Sequence, residues 1–305
     1  MSHLSPAAGV LVLATCLFAS DLPPDSGVPV SVVVTIRGEK NAPPPAVKQD
    51  DILVSQNKQH RQVTGLEPIQ GPHGIQLWLL VDDGAVKSLA TQFGDLRQFI
   101  LAQPASTQIG IGYLHNGMVE KVQPLTADHE LSAKAMRLPT GPPGISAAPY
   151  SAVEDLIHKW PDAGAAREIL LVSSGVDPEY GLGPDDPYLD AAIHEAQRAG
   201  VVVYSIFYSA AGAGRSGSPA YWGQYNLSQI CDATGGVMYW MGALPPPSIT
   251  PYLDDLTQRL DGQYLLTFLA KPEKKNGLES VQIKSELPHV KVTGPSEVYV
   301  PASRL

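Results

Sequence analysis

The chain has 305 residues, 44% of them hydrophobic and 17% charged, which is enough for one sizeable core with appendages and excludes wholesale disorder. Lys and Arg total 21 against 30 Asp and Glu, a formal net charge of -9, and no stretch concentrates the bases. That balance leaves a nucleic-acid partner without an electrostatic footprint and favours solubility.

Residues 1–20 read as a signal peptide. Ala7 to Ser20 form an apolar segment too short to span a bilayer, followed by a polar Pro-rich run, with no Lys or Arg ahead of it. The expected location is secreted or periplasmic, within the cell envelope. Leu13-Ala14-Thr15-Cys16 also matches a lipoprotein box, which would place a lipid anchor at Cys16. Removal or acylation of Cys16 leaves Cys231 without an intramolecular disulfide partner. No other segment approaches a membrane span.

Residues 21–70 read as an N-terminal β segment. Val30 to Ile36 is a β-branched run ending at a turn, Asp51 to Asn57 alternates in part, and Gln62 to Glu67 follows a polar turn. From residue 71 the pattern changes to strand and helix in alternation, the signature of a parallel sheet. Ile75-Gln-Leu-Trp-Leu-Leu-Val81 is a short apolar run that reads as a fully buried strand, and it ends in Asp82-Asp83-Gly84. In open α/β sheets ligands gather beyond the carboxyl ends of the strands, so these two carboxylates stand where a site would be.

A helix over Leu89 to Leu101 follows, then a strand from Thr107 to His115 whose hairpin partner is Met118 to Leu125, across the turn pair Asn116-Gly117. Tyr150 to Trp160 is helical. Arg167 to Ser173 is the second buried strand, ending in Ser174-Gly175-Val176-Asp177. A helix from Tyr188 to Ala199 stops at Gly200, and Val201 to Phe207 is the strand it feeds. Asn226 to Thr234 is helical with a left-handed cap at Gly235-Gly236, and Val237 to Met241 is a short last strand. The domain so defined spans residues 71–243. Residues 244–305 supply a helix from Ile249 to Leu260 and then β structure again, with alternation at Gln263 to Leu269, Ser280 to Ser285, and Val290 and Val292. The predicted fold class is α/β: a doubly wound, mostly parallel sheet flanked by helices, with a small accessory β module built from both chain ends. Three consequences are expected. The strands at Ile75, Arg167 and Val201 lie parallel and central, Met118 to Leu125 is an antiparallel edge, and the two ends pack together because neither has enough strands to be stable alone.

In this order the pieces resemble the von Willebrand factor type A-like proteins, in particular the secreted bacterial kind labelled VWFA-related and abundant in acidobacteria. An opening strand (Val30 to Ile36) and an Asp-hydrophobic-x-Val segment (Asp51-Ile-Leu-Val54) precede the domain, whose first strand ends in Asp82. Thr234-Gly235-Gly236 closes the penultimate helix, and Tyr264 to Phe268 matches a Tyr-x-Leu-x-Phe-like strand. The resemblance implies a Rossmann-like fold and a metal-ion-dependent adhesion site, written Asp-x-Ser-x-Ser on the first loop with a Thr and an Asp from two later loops. Hydroxyls with few carboxylates would leave a hard cation electrophilic toward a partner's carboxylate. Asp82 fits the first position, but Gly84 and Val86 occupy the serine positions. Ser146 is one place out of register for the Thr. Ser174 stands where the later Asp is expected, with Asp177 three residues on. The implied adhesion site is degenerate: no metal ligands and no cofactor are expected, and weak magnesium or calcium at Asp82 is the most it would hold. Asp82 is instead expected to accept hydrogen bonds from the amides of Gly84 to Val86 and to cap the next helix.

Other motifs read as structure. Gly212-Ala-Gly-Arg-Ser-Gly217 matches a dinucleotide pattern, but Ser218-Pro219 and a Gly-rich stretch are read as separating it from any helix, the strand before it comes late, and no later strand ends in an acid. Asp186-Pro187 reads as a helix start rather than a calcium loop, Asn226 as a helix cap, and Cys231 as a core residue. No histidine pairing or Gly-x-Ser-x-Gly elbow is present. The expected function is a non-catalytic protein-binding or adhesion-type module recognising an unidentified protein at the carboxyl edge of the sheet, with Asp82, Asp83, Gly84, Ser146, Ser174 and Asp177 on the rim. Its rivals are a hydrolase or oxidoreductase using the same crevice, and a purely structural subunit of an envelope assembly.

Overall fold

A computed structural model describes residues 27–39, 46–69, 74–84, 87–141, 148–161, 164, 166–177, 186–208, 218–242 and 246–302. The signal-peptide segment with Cys16, the candidate residues Val86 and Ser146, and the loop Gly212 to Gly217 lie outside the described residues.

The buried run at Ile75 becomes β5 (Ile75–Asp82), the middle of a six-stranded sheet. The strands preceding it, all in the N-terminal segment, are β1 (Val28–Gly38), β2 (Ile52–Gln56), β3 (Gln59–Arg61) and β4 (Val63–Pro68). The rest of the sheet is β6 (Gln108–His115), β7 (Met118–Thr126), β8 (Ala166–Ser173), β9 (Val201–Phe207) and β10 (Met238–Trp240), in the order β10-β9-β8-β5-β6-β7. Every neighbouring pair is parallel except β6–β7, an antiparallel hairpin. Numbered within the sheet, this is the doubly wound order 3-2-1-4-5-6. The strands at Ile75, Arg167 and Val201 are adjacent and central, as the alternation predicts. Asn116 and Gly117 have φ of 48° and 72°, the left-handed pair that a two-residue hairpin turn requires.

Period-two alternation along β5 sends Leu77, Leu79 and Val81 to one face and Trp78 and Leu80 to the other. The first face is covered by α1 (Phe93–Ala102), α2 (His129–Ala135) and α6 (Thr250–Asp261), the second by α3 (Pro149–His158), α4 (Pro187–Ala199) and α5 (Ser218–Thr234). Asp186 caps α4 through the amides of Tyr188 and Leu189, and Pro187 occupies its first turn. Gly200 at φ 66° and Gly235 at φ 88° end α4 and α5.

Four sequence expectations need correction. A 3-10 turn, Lys87–Gln92, precedes α1, so the α-helix starts at Phe93 rather than Leu89. The helix α2 lies in a stretch without apolar periodicity and was not foreseen. Gln59–Arg61, read as a polar turn, is a short strand. The helix α5 begins at Ser218, eight residues earlier than read, so Asn226 is a fully buried mid-helix residue and not a cap. Gly223 lowers helix propensity there, but a Cβ at this position would overlap the carbonyl of Ser174, so close packing overrides propensity. The helix therefore starts directly after the Gly212 to Gly217 motif in the sequence. The late position of β9 still opposes a dinucleotide site, as does β10, which ends at Trp240 rather than at an acid.

The chain ends interleave. With β11 (Gln263–Ala270), β12 (Gly277–Ser285), β13 (Val290–Thr293) and β14 (Glu297–Val300), they form two four-stranded antiparallel sheets, β13-β1-β11-β4 and β14-β12-β2-β3. Each sheet takes strands from both ends. Val34 and Ile36 of β1, Val54 of β2, Phe268 of β11 and Val300 of β14 share one buried cluster, so the sheets pack face to face.

This sandwich is tied to the α/β domain at a buried seam. Val33 of β1 joins the main core. Arg37 pairs with Asp255 of α6 at 2.7 Å, and Asp255 also accepts from Arg259 at 2.7 Å and from the hydroxyl of Tyr239 at 2.8 Å. Burial opposes ionisation of Asp255, but these donors outweigh it and hold its pKa below the usual carboxylate value. Next to them Glu168 of β8 is fully buried beside Gln263, and burial pushes its pKa up to about 8.

Two predictions follow from the seam and the sandwich. Phe268→Ala should lower unfolding stability by about 3–5 kcal/mol, and segments 27–69 and 246–302 expressed separately should each show the circular dichroism of unfolded chains; an independently folded end would contradict strand sharing. Native Glu168 keeps its proton up to about pH 8, whereas the unfolded chain ionises from about pH 4.5. Folding therefore loses stability as pH rises through that window. Glu168→Gln should flatten this part of the profile and raise the melting temperature at pH 8 by roughly 2–4 °C or more, the equivalent of at least about 1 kcal/mol.

Candidate functional site

Buried strands need hydrogen-bonded neighbours on both sides, so β5 is held by β6 and β8 up to its last residue, and its end is forced into the crevice where the sheet's winding reverses. Asp82 is 6% exposed. Its Oδ1 accepts the Gly84 amide at 2.8 Å, and its Oδ2 faces the Ser173 hydroxyl of β8 at 3.5 Å. Burial pushes its pKa up to about 6; the charge of Asp83 adds to this, and the Gly84 amide, the Ser173 hydroxyl and the Ser174 amide offset part of it. Among the described residues Asp82 closes the turn at the strand end, but it does not cap α1, whose N-cap position is Gln92.

Asp83 is equally buried at 6% exposed and has a different fate. Arg137 donates to its Oδ1 at 2.6 Å, and the Thr140 amide donates to the same atom at 3.0 Å. Burial alone would raise the pKa of Asp83, but the Arg137 hydrogen bond and charge and the backbone amides of Thr140 and Gly141 bring it below the ordinary value. Arg137 also donates to Glu120 of β7 at 3.0 Å and lies over the ring of Tyr113 at 3.9 Å from its centroid. The Tyr113 hydroxyl accepts the Arg137 amide at 2.7 Å and donates to the Arg137 carbonyl. The Gly141 amide reaches the Asp83 carbonyl at 3.0 Å. The segment from Met136 to Gly141 is thereby strapped across the carboxyl end of the sheet.

Sequence reasoning missed Arg137. The signal available was Asp128, which caps α2 by accepting the Leu131 amide at 3.2 Å. That helix delivers Arg137, and its last carbonyls are held by Arg97, which donates to Met136 at 2.8 Å.

The remaining rim residues fall on the loop after β8. Ser174 is 4% exposed, and its Oγ faces the Val176 amide at 3.4 Å. Gly175, at φ 65°, gives its carbonyl to the Tyr150 hydroxyl at 3.0 Å. Asp177 is 2% exposed and near enough to Tyr150 and Asp186 to raise both their pKa values, after burial, which is the larger cause in each. The structure thus joins Asp82 to Gly84, Ser173 and Ser174, places Asp83 with Arg137, and sets Asp177 within reach of Asp186 and Tyr150.

A hard divalent ion needs several free oxygens. Here the Arg137 guanidinium already supplies the positive charge beside Asp83, Asp82 faces the Gly84 amide and the Ser173 hydroxyl, Gly84 offers no side chain, and the Ser174 hydroxyl is turned to its own loop. The described residues do not fit a divalent cation, and none of them form a group of three or more His, Cys, Asp or Glu able to hold one. Cys231 is buried, and burial pushes its thiol up to about 12, which removes it as a nucleophile at neutral pH.

No family model and no curated protein matches the chain. Among solved structures it is similar to an aerotolerance-related membrane protein from Bacteroides fragilis (11% identity, 62% of this chain and 99% of that one, TM-score 0.43). It is similar also to the vWF domain of the type V pilus tip protein Mfa5 from Porphyromonas gingivalis (10% identity, 62% and 95%, TM-score 0.43) and to the SpRpn10 VWA domain (12% identity, 60% and 94%, TM-score 0.38). The fold assignment rests on the strand order and the antiparallel edge described above.

Arg137→Leu should lower stability by about 1–3 kcal/mol, because Asp83 loses its charged hydrogen-bond donor. Chemical denaturation at pH 7 and at progressively lower pH checks this, since the difference should shrink as pH falls through the lowered pKa of native Asp83. Calorimetry with magnesium, manganese and calcium should show no heat of binding tighter than about millimolar, the weak end of protein sites. A micromolar signal abolished by Asp82→Ala would contradict the reading of the crevice.

Proposed function

We propose that the protein is a non-catalytic, adhesion-type protein-binding module, secreted or held in the cell envelope, that recognises its partner at the carboxyl edge of the sheet without a tightly bound metal. The observation that carries this is the distribution of exposed apolar side chains. Of the eight large hydrophobic residues exposed among the described residues, five are spread along this end of the sheet, from Met118 on one edge strand to Trp240 on the other, with Leu138, Tyr221 and Tyr225 on the segments between. Met118 pairs with the last residue of β6, and Trp240 pairs with the last residue of β9. Leu138 follows Arg137, and Tyr221 and Tyr225 flank the Gly223 that packs on Ser174.

Tyr, Trp and Met are residues that protein interfaces favour: Tyr and Trp cover much area at little entropic cost, and Met adapts to irregular surfaces. Trp222 packs edge-on against Tyr221 at 5.0 Å and Tyr225 at 5.9 Å, so the aromatic cluster on α5 is pre-formed. The envelope location rests on the leader-like segment Ala7 to Ser20; no helix among the described residues is long and apolar enough to cross a membrane.

The enzyme reading is weaker on chemical grounds. Ser173 and Ser174 face backbone amides of their own loop, Gly175 at 3.1 Å and Val176 at 3.4 Å, and among the described residues no histidine bonds to either hydroxyl. A purely structural subunit would leave the aromatic patch without a role.

Affinity capture from the native envelope tests the proposal. The wild type should retain a specific protein, and Tyr225→Asp and Trp240→Asp should each reduce its recovery at least tenfold while leaving the melting temperature within a few degrees. Unchanged recovery with both variants would exclude this edge as the interface.

A further inference from the structure

At the opposite end of the molecule, the edge of β1 is only partly paired. On one side β1 pairs with β11 from Val28 to Thr35, but on the other side β13 covers only Thr35 to Gly38. No described strand pairs with the rest of that edge. The amide of Ile36 bonds to Gly262 on the β11 side. Since backbone groups alternate between the two sides of an antiparallel strand, those of Ser31 and Val33 and the carbonyl of Pro29 point to the open side. Pro29, with no N–H to offer, falls on the side where no ladder donor is used.

A cavity of about 310 Å³ runs along this edge, between β1, the end of α4 and β14, within the range of ligand-binding pockets. Every residue from Pro29 to Val33 lines it. Because side chains alternate between faces, a hollow on one face would touch every second residue; five in succession place it on the edge itself. Its wall includes Gln197, 6% exposed, whose Nε2 donates to Ala233 at 3.0 Å and Ser296 at 3.1 Å while its Oε1 is buried with no partner. Such a buried acceptor is costly unless a donor arrives. Arg198 stands at the rim over the ring of Tyr299, its side chain 56% exposed and 3.6 Å from the nearest carboxylate oxygen, that of Glu195.

We propose that this edge takes up an extended peptide segment of a partner protein as an added β-strand, in the lane that β13 occupies farther along, with an acidic side chain toward Arg198 and a backbone or side-chain donor to Gln197 Oε1. The main-chain groups of Ser31 and Val33 give affinity, and the cavity selects side chains. Five residues of β1 span about 13 Å, so the recognised core is four to six residues at about 3.3 Å each.

The test is panning of a displayed library of random twelve-residue peptides against the full chain, followed by fluorescence-anisotropy titration of the selected synthetic peptide. Ser31→Pro removes an outward N–H and keeps the backbone ladder to β11, losing there only the exposed hydroxyl contact of Ser31 with Thr267 at 2.8 Å, so it should weaken binding at least tenfold without shifting the melting temperature by more than a few degrees. Methylating alternate amides of the peptide should weaken binding as much, independently of how any variant folds. Trp240→Asp, at the other end of the molecule, should change nothing. Full affinity for Ser31→Pro or for the methylated peptides, loss of binding with Trp240→Asp alone, or failure of the library to yield a binder would each overturn the proposal.

Discussion

The ion pair between Arg137 and Asp83 decides what the carboxyl end of the sheet can do. A carboxylate forced into a low-dielectric crevice must be neutralised, and a neighbouring cation, a bound metal and a proton are the available means. This chain uses a cation for Asp83, while burial raises the pKa of Asp82 to about 6, so that a proton neutralises it only below about that pH and the Gly84 amide and Ser173 hydroxyl face its carboxylate above it. The guanidinium is planar and fork-shaped, so it also holds Glu120 and stacks on Tyr113, which fixes β7 and the α2 exit segment to the same point. Among the described residues, the large side chains exposed near this end of the sheet include Met118, Leu138, Tyr221, Tyr225 and Trp240.

A second constraint acts on the whole chain. Because each sandwich sheet contains strands from both ends, neither end is stable until the α/β domain has brought Thr35 and Gln263 together. The seam is where this dependence is concentrated: Asp255 binds Arg37, Arg259 and Tyr239, while Glu168 is held neutral beside Gln263. The two carboxyls respond to pH with opposite signs. Asp255, with its pKa lowered, stabilises the fold above about pH 4 and loses that contribution as pH falls further. Glu168 favours the fold only while it keeps its proton. Mildly acidic conditions suit both.

The strand and helix alternation from Ile75 to Leu260 was legible, α2 and the start of α5 excepted, where elements are set by local chemistry: the β-branched runs, the Asn116-Gly117 turn, the Asp186-Pro187 start and the glycine stops at 200 and 235. The pairing of the chain ends followed from a stability argument. Their division into two facing sheets did not, since β3 has only three residues and no distinctive pattern. The start of α5 was hidden by Gly223, which is explained by its close approach to Ser174, a contact distant in sequence, and by the Ser-Pro and aromatic residues around it. The candidate site was half legible. Asp82 and Asp83 were found because a strand's end is a position in the sequence, whereas Arg137 sits 54 residues from its partner, after a seven-residue helix whose only local mark is Asp128.

The most direct test of this account is the divalent-cation dependence of partner capture by the wild-type protein, measured side by side in excess chelator and in millimolar magnesium or calcium. If Arg137 has taken the place of a metal at the sheet's carboxyl edge, the two recoveries should be equal, and Asp82→Ala should leave them so. Capture that requires the cation and disappears with Asp82→Ala would show that the crevice works through a metal ion after all.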